Sequence, residues 1–317
     1  MKIEEAFSLE FGENIDVETA YDLFWARIIT DKRKFVCCYE GCNAAVTAAN
    51  LDRLRQDMAV DPHYRDVAPE DHITGCPNSK EAQANSAKNV SEEQNRQSRR
   101  ISSAMADVFE FNRPDSHFVR TKTTKAQNSL EEPAKKKTRK KSASTANSAP
   151  RPSTHYSLRS FVSKYFRHLK SNQADEKCIS VKGYNVPYSQ MFVKIAGQSL
   201  DDLSEYRRIY YAKAFINKLE SGDYSVRFGE PLLFNNIPIK PTLFISKKMV
   251  ENAFSRQLYE EKLEELSLRK YPSVWVFIYS KPGPKQAKNS SEKTYINFSV
   301  DNMDLFDFRE DIKLPSD

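Results

Sequence analysis

The chain has 317 residues, of which 39% are hydrophobic and 29% charged, and a formal net charge of +6. With a mean hydropathy of −0.68, that length suits one large or two modest domains, and the apolar content is too low for a single closely packed body. No apolar run approaches the roughly 20 residues of a membrane span, and Met1-Lys2-Ile3-Glu4-Glu5 lacks the basic start and apolar core of a signal peptide. A soluble, cytoplasmic protein without membrane partners is expected, nuclear only in a eukaryotic host.

In chain order, Asp16 to Ile29 comes first, with an N-cap type residue followed by Val17, Tyr21, Phe24 and Ile28 at helical spacing. This predicts a short helix leading into Phe35. Four of the five cysteines then fall between Cys37 and Cys76. Five cysteines are too few for a secreted disulfide scaffold, and their clustering points to metal. Between them, Ala44 to Met58 is read as a second short helix or a hairpin arm.

The strongest chemical signal is Phe35-Val36-Cys37-Cys38-Tyr39-Glu40-Gly41-Cys42, followed by His72-Ile73-Thr74-Gly75-Cys76-Pro77. Two close thiols on a turn form one half of a tetrahedral Zn²⁺ site, and a His and Cys with three residues between them form the other. Thiolate and imidazole are ligand types that favour zinc over magnesium or calcium. Gly41 and Gly75 each precede a ligand, where a tight turn often needs φ > 0. The candidate ligands are Cys37, Cys42, His72 and Cys76, with Cys38 an alternative in the first pair and His63 in the second. Four protein ligands would close the site, which implies structural zinc.

This segment resembles the N-terminal zinc-binding module of the competence protein CoiA-like family, through Phe35, Cys37, Cys42, Pro62-His63-Tyr64, His72 and Cys76. The resemblance covers about the first 80 residues and implies Cys37, not Cys38, as the ligand. It would also imply a restriction-type nuclease domain downstream, whose acidic residues and lysine do not follow Cys76, so nuclease activity is not carried over.

After this module (1–80) comes a polar strap, helical or extended (81–120), and then a basic linker (121–155). Between Thr121 and Pro152 nine basic residues face two acidic ones, a net +7, which leaves −1 for the rest of the chain. Such composition does not recover the roughly 1–2 kcal/mol per residue lost on ordering, so disorder is expected. Its centre, with Lys136, Arg139 and Lys140, reads as a phosphate-binding tether.

From Tyr156 to the end (156–317) a β-rich domain is expected. An amphipathic helix over Tyr156 to Lys170 opens it. Strands follow at Gln190 to Ile195, Arg208 to Leu219, Tyr224 to Phe228, Val274 to Tyr279 and Thr294 to Val300, with one long helix over Ser246 to Lys270. Three strands, a helix and two strands is the order of an OB-like barrel. The fold class is thus α+β, a small zinc module and a disordered basic linker preceding an OB-like domain.

Alternation places Trp275, Phe277 and Tyr279 on one strand face and Tyr211, Lys213 and Phe215 on another. Rings interleaved with cations suit single-stranded nucleic acid, since bases stack while cations track phosphates; the alternative for Trp275, Phe277 and Tyr279 is burial of both strand faces, one in the barrel and one under the Tyr156 or Ser246 helix. Lys281, Lys285 and Lys288 add a basic loop. The acidic segment Asp301 to Asp317 either closes the barrel or recruits a protein partner. No catalytic constellation emerges: the five His are dispersed, and 8 Gly make phosphate-cradling loops unexpected. The expected function is single-stranded DNA or RNA binding by a zinc-containing protein, with enzymatic activity left open. A zinc-stabilised protein adaptor and a diverged CoiA-like nuclease are the alternatives.

Overall fold

The computed structural model describes residues 3–53, 58, 60–79, 106–114, 117, 154–269, 274–287 and 290–310. These fall into two compact units. Lys136, Arg139, Lys140 and Lys288 lie outside the described residues, as do residues 121–153, where the sequence predicts disorder, and most of the polar strap.

The first unit is a five-stranded antiparallel sheet with one helix. Its strands are β1 (Glu5–Ser8), β2 (Asn14–Asp16), β3 (Phe35–Cys37), β4 (Ala45–Ala49) and β5 (His63–Asp66). They are ordered β2-β1-β3-β4-β5, and an antiparallel bridge from Ile3 to Tyr64 joins the chain just before β1 to the far edge strand. Ala44 to Met58 therefore contributes a hairpin arm, the second of the two forms expected. The helix α1 (Val17–Trp25) starts where the Asp16 carboxylate accepts from the N–H groups of Glu18 and Thr19. It buries Ala20, Tyr21 and Leu23, and ends four residues short of Ile29, with Arg27 beyond it at φ 63°.

The second unit begins earlier than the sequence suggests. Asp107–Phe109, within the supposed strap, is a strand (β6) parallel to both β7 (Thr154–His155) and β8 (Cys178–Val181), the latter paired with β9 (Tyr184–Pro187). The basic segment is thus bracketed by neighbouring strands of one sheet, which corrects the picture of a tether ending at residue 155 in front of a separate domain. Helix α2 (Leu158–Lys170) follows, capped by Ser157, and buries Leu158, Phe161, Val162 and Tyr165. Next come the short α3 (Tyr188–Met191) and β10 (Phe192–Lys194).

The main sheet is built on β11 (Arg208–Lys218), flanked by β12 (Tyr224–Phe228) and β16 (Val274–Ser280). A hairpin of β13 (Leu232–Phe234) and β14 (Ile237–Ile239) precedes β15 (Thr242–Ile245), while β17 (Gly283–Ala287), β18 (Ser290–Phe298) and β19 (Phe306–Arg309) complete the sheet. The path is β17-β18-β15-β12-β11-β16-β19, with β10 added in parallel to β11. It is a curled half-barrel in an α+β unit. Eight strands take part where the OB-like order has five; β11 pairs directly with β16, and β15 and β18 run parallel. The supposed basic loop after Tyr279 is the β17–β18 hairpin.

The long helix over Ser246 to Lys270 is two helices, α4 (Lys247–Glu251) and α5 (Arg256–Ser267), parted at Asn252 to Ser255. Val250 and Leu263 are both buried. At 3.6 residues per turn, thirteen residues place them roughly 140° apart on a straight helix, so the break lets both reach the core.

Asp301 to Glu310 closes the sheet. Met303, Leu305, Phe306 and Phe308 are buried, and the acidic groups are engaged internally: Asp304 with Arg113, Asp307 with Arg159 and Arg309, and Glu310 with Lys262 and Arg269. This described part of the segment follows the closure reading rather than the recruiting one.

Candidate metal centre and nucleic-acid face

The first unit brings Cys37, Cys42, His72 and Cys76 together, all buried, with their ligand atoms within 4.8 Å of one another. Cys37 ends β3, and its N–H donates to Ala44 O. The other two thiols sit on matching turns: Cys42 N–H donates to Tyr39 O and Cys76 N–H to Ile73 O, both at 3.0 Å. The residue before each thiol is a glycine with φ of 75° (Gly41) and 85° (Gly75). A side chain at either position would be strained by this backbone, so the Gly-Cys pairing in both turns has a conformational cause.

Cys37 Sγ lies 3.7 Å from Cys76 Sγ, and His72 Nδ1 lies 3.3 Å from Cys42 Sγ and 3.4 Å from Cys76 Sγ. A tetrahedral ion with bonds of about 2.3 Å to sulfur and about 2.0 Å to nitrogen gives edges of about 3.8 Å and 3.5 Å. The four residues therefore fit a metal ion. Cys38 and His63 are not in the group, which among the described residues is the one recorded set of His, Cys, Asp and Glu able to hold a metal.

Electrostatics explain why a cation belongs there. Burial, opposed by the Asn78 N–H and reinforced by Cys37 and Cys42, pushes the Cys76 thiol up to about 12. Burial also acts on Cys42, but the N–H groups of Ala44 and Ile73, with His72, bring it down to about 7. Three thiolates at this separation repel in a site shielded from water, and a divalent ion turns that repulsion into attraction.

Two supporting residues escaped the sequence reading. Asp66, on β5, accepts from His72 Nε2 at 2.8 Å, which fixes the tautomer and leaves Nδ1 to face the thiols. Asn78 Nδ2 donates to Cys37 Sγ at 3.6 Å. Neither has a motif: Asp66 lies six residues before His72, and only the path of β5 brings it alongside. Asp66→Asn is expected to lower metal affinity about 10- to 100-fold, measured by competition with a chelator, while leaving one equivalent bound.

In the second unit the structure divides the expected aromatic faces. Tyr211, Phe277 and Tyr279 are buried. Tyr165, Phe166 and Phe192 cover the first two of these: Tyr165 contacts Tyr211, while Phe166 and Phe192 make edge-on contacts with Phe277. These rings are core and offer no stacking surface, which corrects the expectation for all three. Lys213 is exposed, Phe215 and Trp275 are half-buried, and Lys213 Nζ lies 5.7 Å from the Trp275 ring centroid. Lys281 is paired with Glu205 at 2.7 Å, and Lys285 is exposed on β17. No family model, curated protein or solved structure matches the chain.

Proposed function

We propose that the chain is a zinc-stabilised nucleic-acid-binding protein that takes single-stranded DNA or RNA on the main sheet of its second unit. The observation that carries this reading is the exposed Lys213 between half-buried Trp275 and Phe215, at the end of a sheet face that α2 leaves open. A ring offers a base a stacking partner, and the neighbouring ammonium offers the phosphate a charge. Lys136, Arg139 and Lys140 add sequence-independent phosphate attraction.

Zinc is the ion that three thiolates and one imidazole select, and four protein ligands leave no open position, so its role is structural. The likeness of the first 80 residues to the CoiA-like zinc module belongs to this proposal. The adaptor alternative draws support from the β13–β14 hairpin, where Leu233 and Ile237 are exposed.

Fluorescence anisotropy of a labelled single-stranded oligonucleotide tests the function. Binding is expected to weaken linearly in log–log coordinates with salt, with a slope steeper than about −0.7, while an equal length of duplex binds less tightly. Absence of binding at low salt would leave the adaptor reading. Metal-dependent shortening of the oligonucleotide would favour the nuclease.

A further inference from the structure

We propose that the binding surface extends across the sheet, from Trp275 on β16 through Lys213 and Phe215 on β11, Arg227 on β12 and Phe244 on β15 to Tyr295 on β18, as a track for one single strand. This rests on the nucleic-acid reading above and adds its path, its length and three residues that sequence alone did not single out.

Strand register places these residues on one face. Lys213 is opposite Trp275, Phe215 opposite Arg227, Arg227 opposite Thr242, and Thr242 opposite Asn297. Cross-strand partners point to the same side, as do residues two apart along a strand. Phe244, two after Thr242, and Tyr295, two before Asn297, therefore share the face of Phe215 and Trp275. Lys285, opposite Tyr295, extends it onto β17. The bond from Thr242 Oγ1 to Asn297 Oδ1 at 2.6 Å holds the middle of the row in this register.

Two features point to nucleic acid as the occupant. Phe244 and Tyr295 are 56% and 44% exposed, whereas the neighbouring rings on the same face, Tyr211 and Phe277, are 7% and 0% exposed beneath the rings of Tyr165, Phe166 and Phe192. The charge is also one-sided. Elsewhere on this unit Lys218, Arg207, Lys281 and Arg256 each meet a carboxylate. Among the described residues no carboxylate is paired with Lys213, Arg227 or Lys285. Rings spaced among unneutralised cations match a chain of bases and phosphates. From β16 to β18 are four interstrand steps of about 4.8 Å, roughly 19 Å, or on the order of four to six nucleotides.

The test uses the full chain and labelled oligothymidylates of two to twelve nucleotides, with an abasic oligonucleotide of equal charge. Affinity is expected to rise with length and level off near four to six nucleotides, and the abasic strand to bind at least tenfold more weakly. Phe244→Ala and Tyr295→Ala are each expected to lose about tenfold with an unchanged thermal midpoint, since both rings are exposed. Arg227→Ala is expected to reduce the salt slope by about 0.7. Saturation at two nucleotides, with loss on Trp275→Ala but none on Phe244→Ala or Tyr295→Ala, would overturn the track and spare the nucleic-acid reading. Equal binding of abasic and thymidine strands, or no binding, would overturn both.

Discussion

Stripping a bound metal from the intact chain, or replacing Cys76 by Ala, is expected to release the turns that carry the ligands and the adjoining ends of β3 to β5, while α1 with its buried Tyr21 and Leu23, and the main sheet of the second unit, remain folded. The reason lies in what holds the ligand turns. Cys37, Cys42, Ala44 and Cys76 form a small buried cluster of their own, separate from the large core of the second unit. This cluster buries little apolar surface of its own, so it holds the ligand turns far less firmly than Ile15, Leu23, Phe35, Val46 and Tyr64 hold the sheet. Its sulfurs repel once they ionise without a cation. Binding of structural zinc is worth about 10–16 kcal/mol in zinc-finger peptides at neutral pH, comparable to the whole stability of a domain, about 5–15 kcal/mol. Because thiolates and neutral imidazole are the binding forms, affinity falls as pH falls and protons compete for the same atoms.

Metal analysis should give one equivalent of zinc for the native chain and for Cys38→Ala, and none for Cys42→Ala or Cys76→Ala. Hydrogen exchange should then rise across β3 to β5 and the turns that carry Cys42 and Cys76. A chelated chain that keeps its protection there would show that the four residues are merely buried neighbours.

How far the sequence reveals this centre depends on distance along the chain. Cys37 with Cys42, and His72 with Cys76, are local pairs on Gly-containing turns, so their spacing and turn chemistry are legible. Asp66 and Asn78 act through β5 and the turn after Cys76, and no spacing rule reaches them. In the second unit, alternation identifies strand faces but not what covers them. Tyr211 and Phe215 stand four residues apart on one strand, yet α2 covers the first and leaves the second half-exposed. Phe244 carries little signal in the sequence, because β15 is four residues long and directly follows Pro241. The β13–β14 turn was legible in principle: Asn235 and Asn236 take φ of 50° and 63°, the pattern of an Asn-rich hairpin turn.

Asp107 illustrates the same limit and carries the second large expected effect. Its carboxylate meets Lys164 Nζ and accepts from Tyr188 Oη at 2.8 Å, while Lys164 Nζ also lies 2.8 Å from Nε2 of fully buried His155. One side chain on β6 thus ties together β7, α2 and α3, and with them the two strands that bracket the basic segment. Burial pushes this carboxyl up, but His155 and the Lys164 charge overcome it and hold it well below the usual carboxylate range. A depressed carboxyl contributes stability that is present above its unfolded value, about 3.9, and is lost as pH falls through the folded value. Asp107→Asn keeps the shape, removes the charge and leaves Lys164 largely enclosed without its counter-ion. The expected cost at pH 7 is about 3 kcal/mol, read as a lower urea midpoint. The difference should shrink as pH falls below about 4, because the unfolded chain then takes up a proton at this carboxyl that the folded chain still refuses, while the amide does not titrate. Tyr188→Phe removes a single hydrogen bond and should cost about 1.5 kcal/mol at neutral pH. Equal midpoints for Asp107→Asn and wild type at pH 7 would mean that apolar packing of Phe109 against Phe161, at 4.6 Å between ring centroids, fixes β6 without the ion pair.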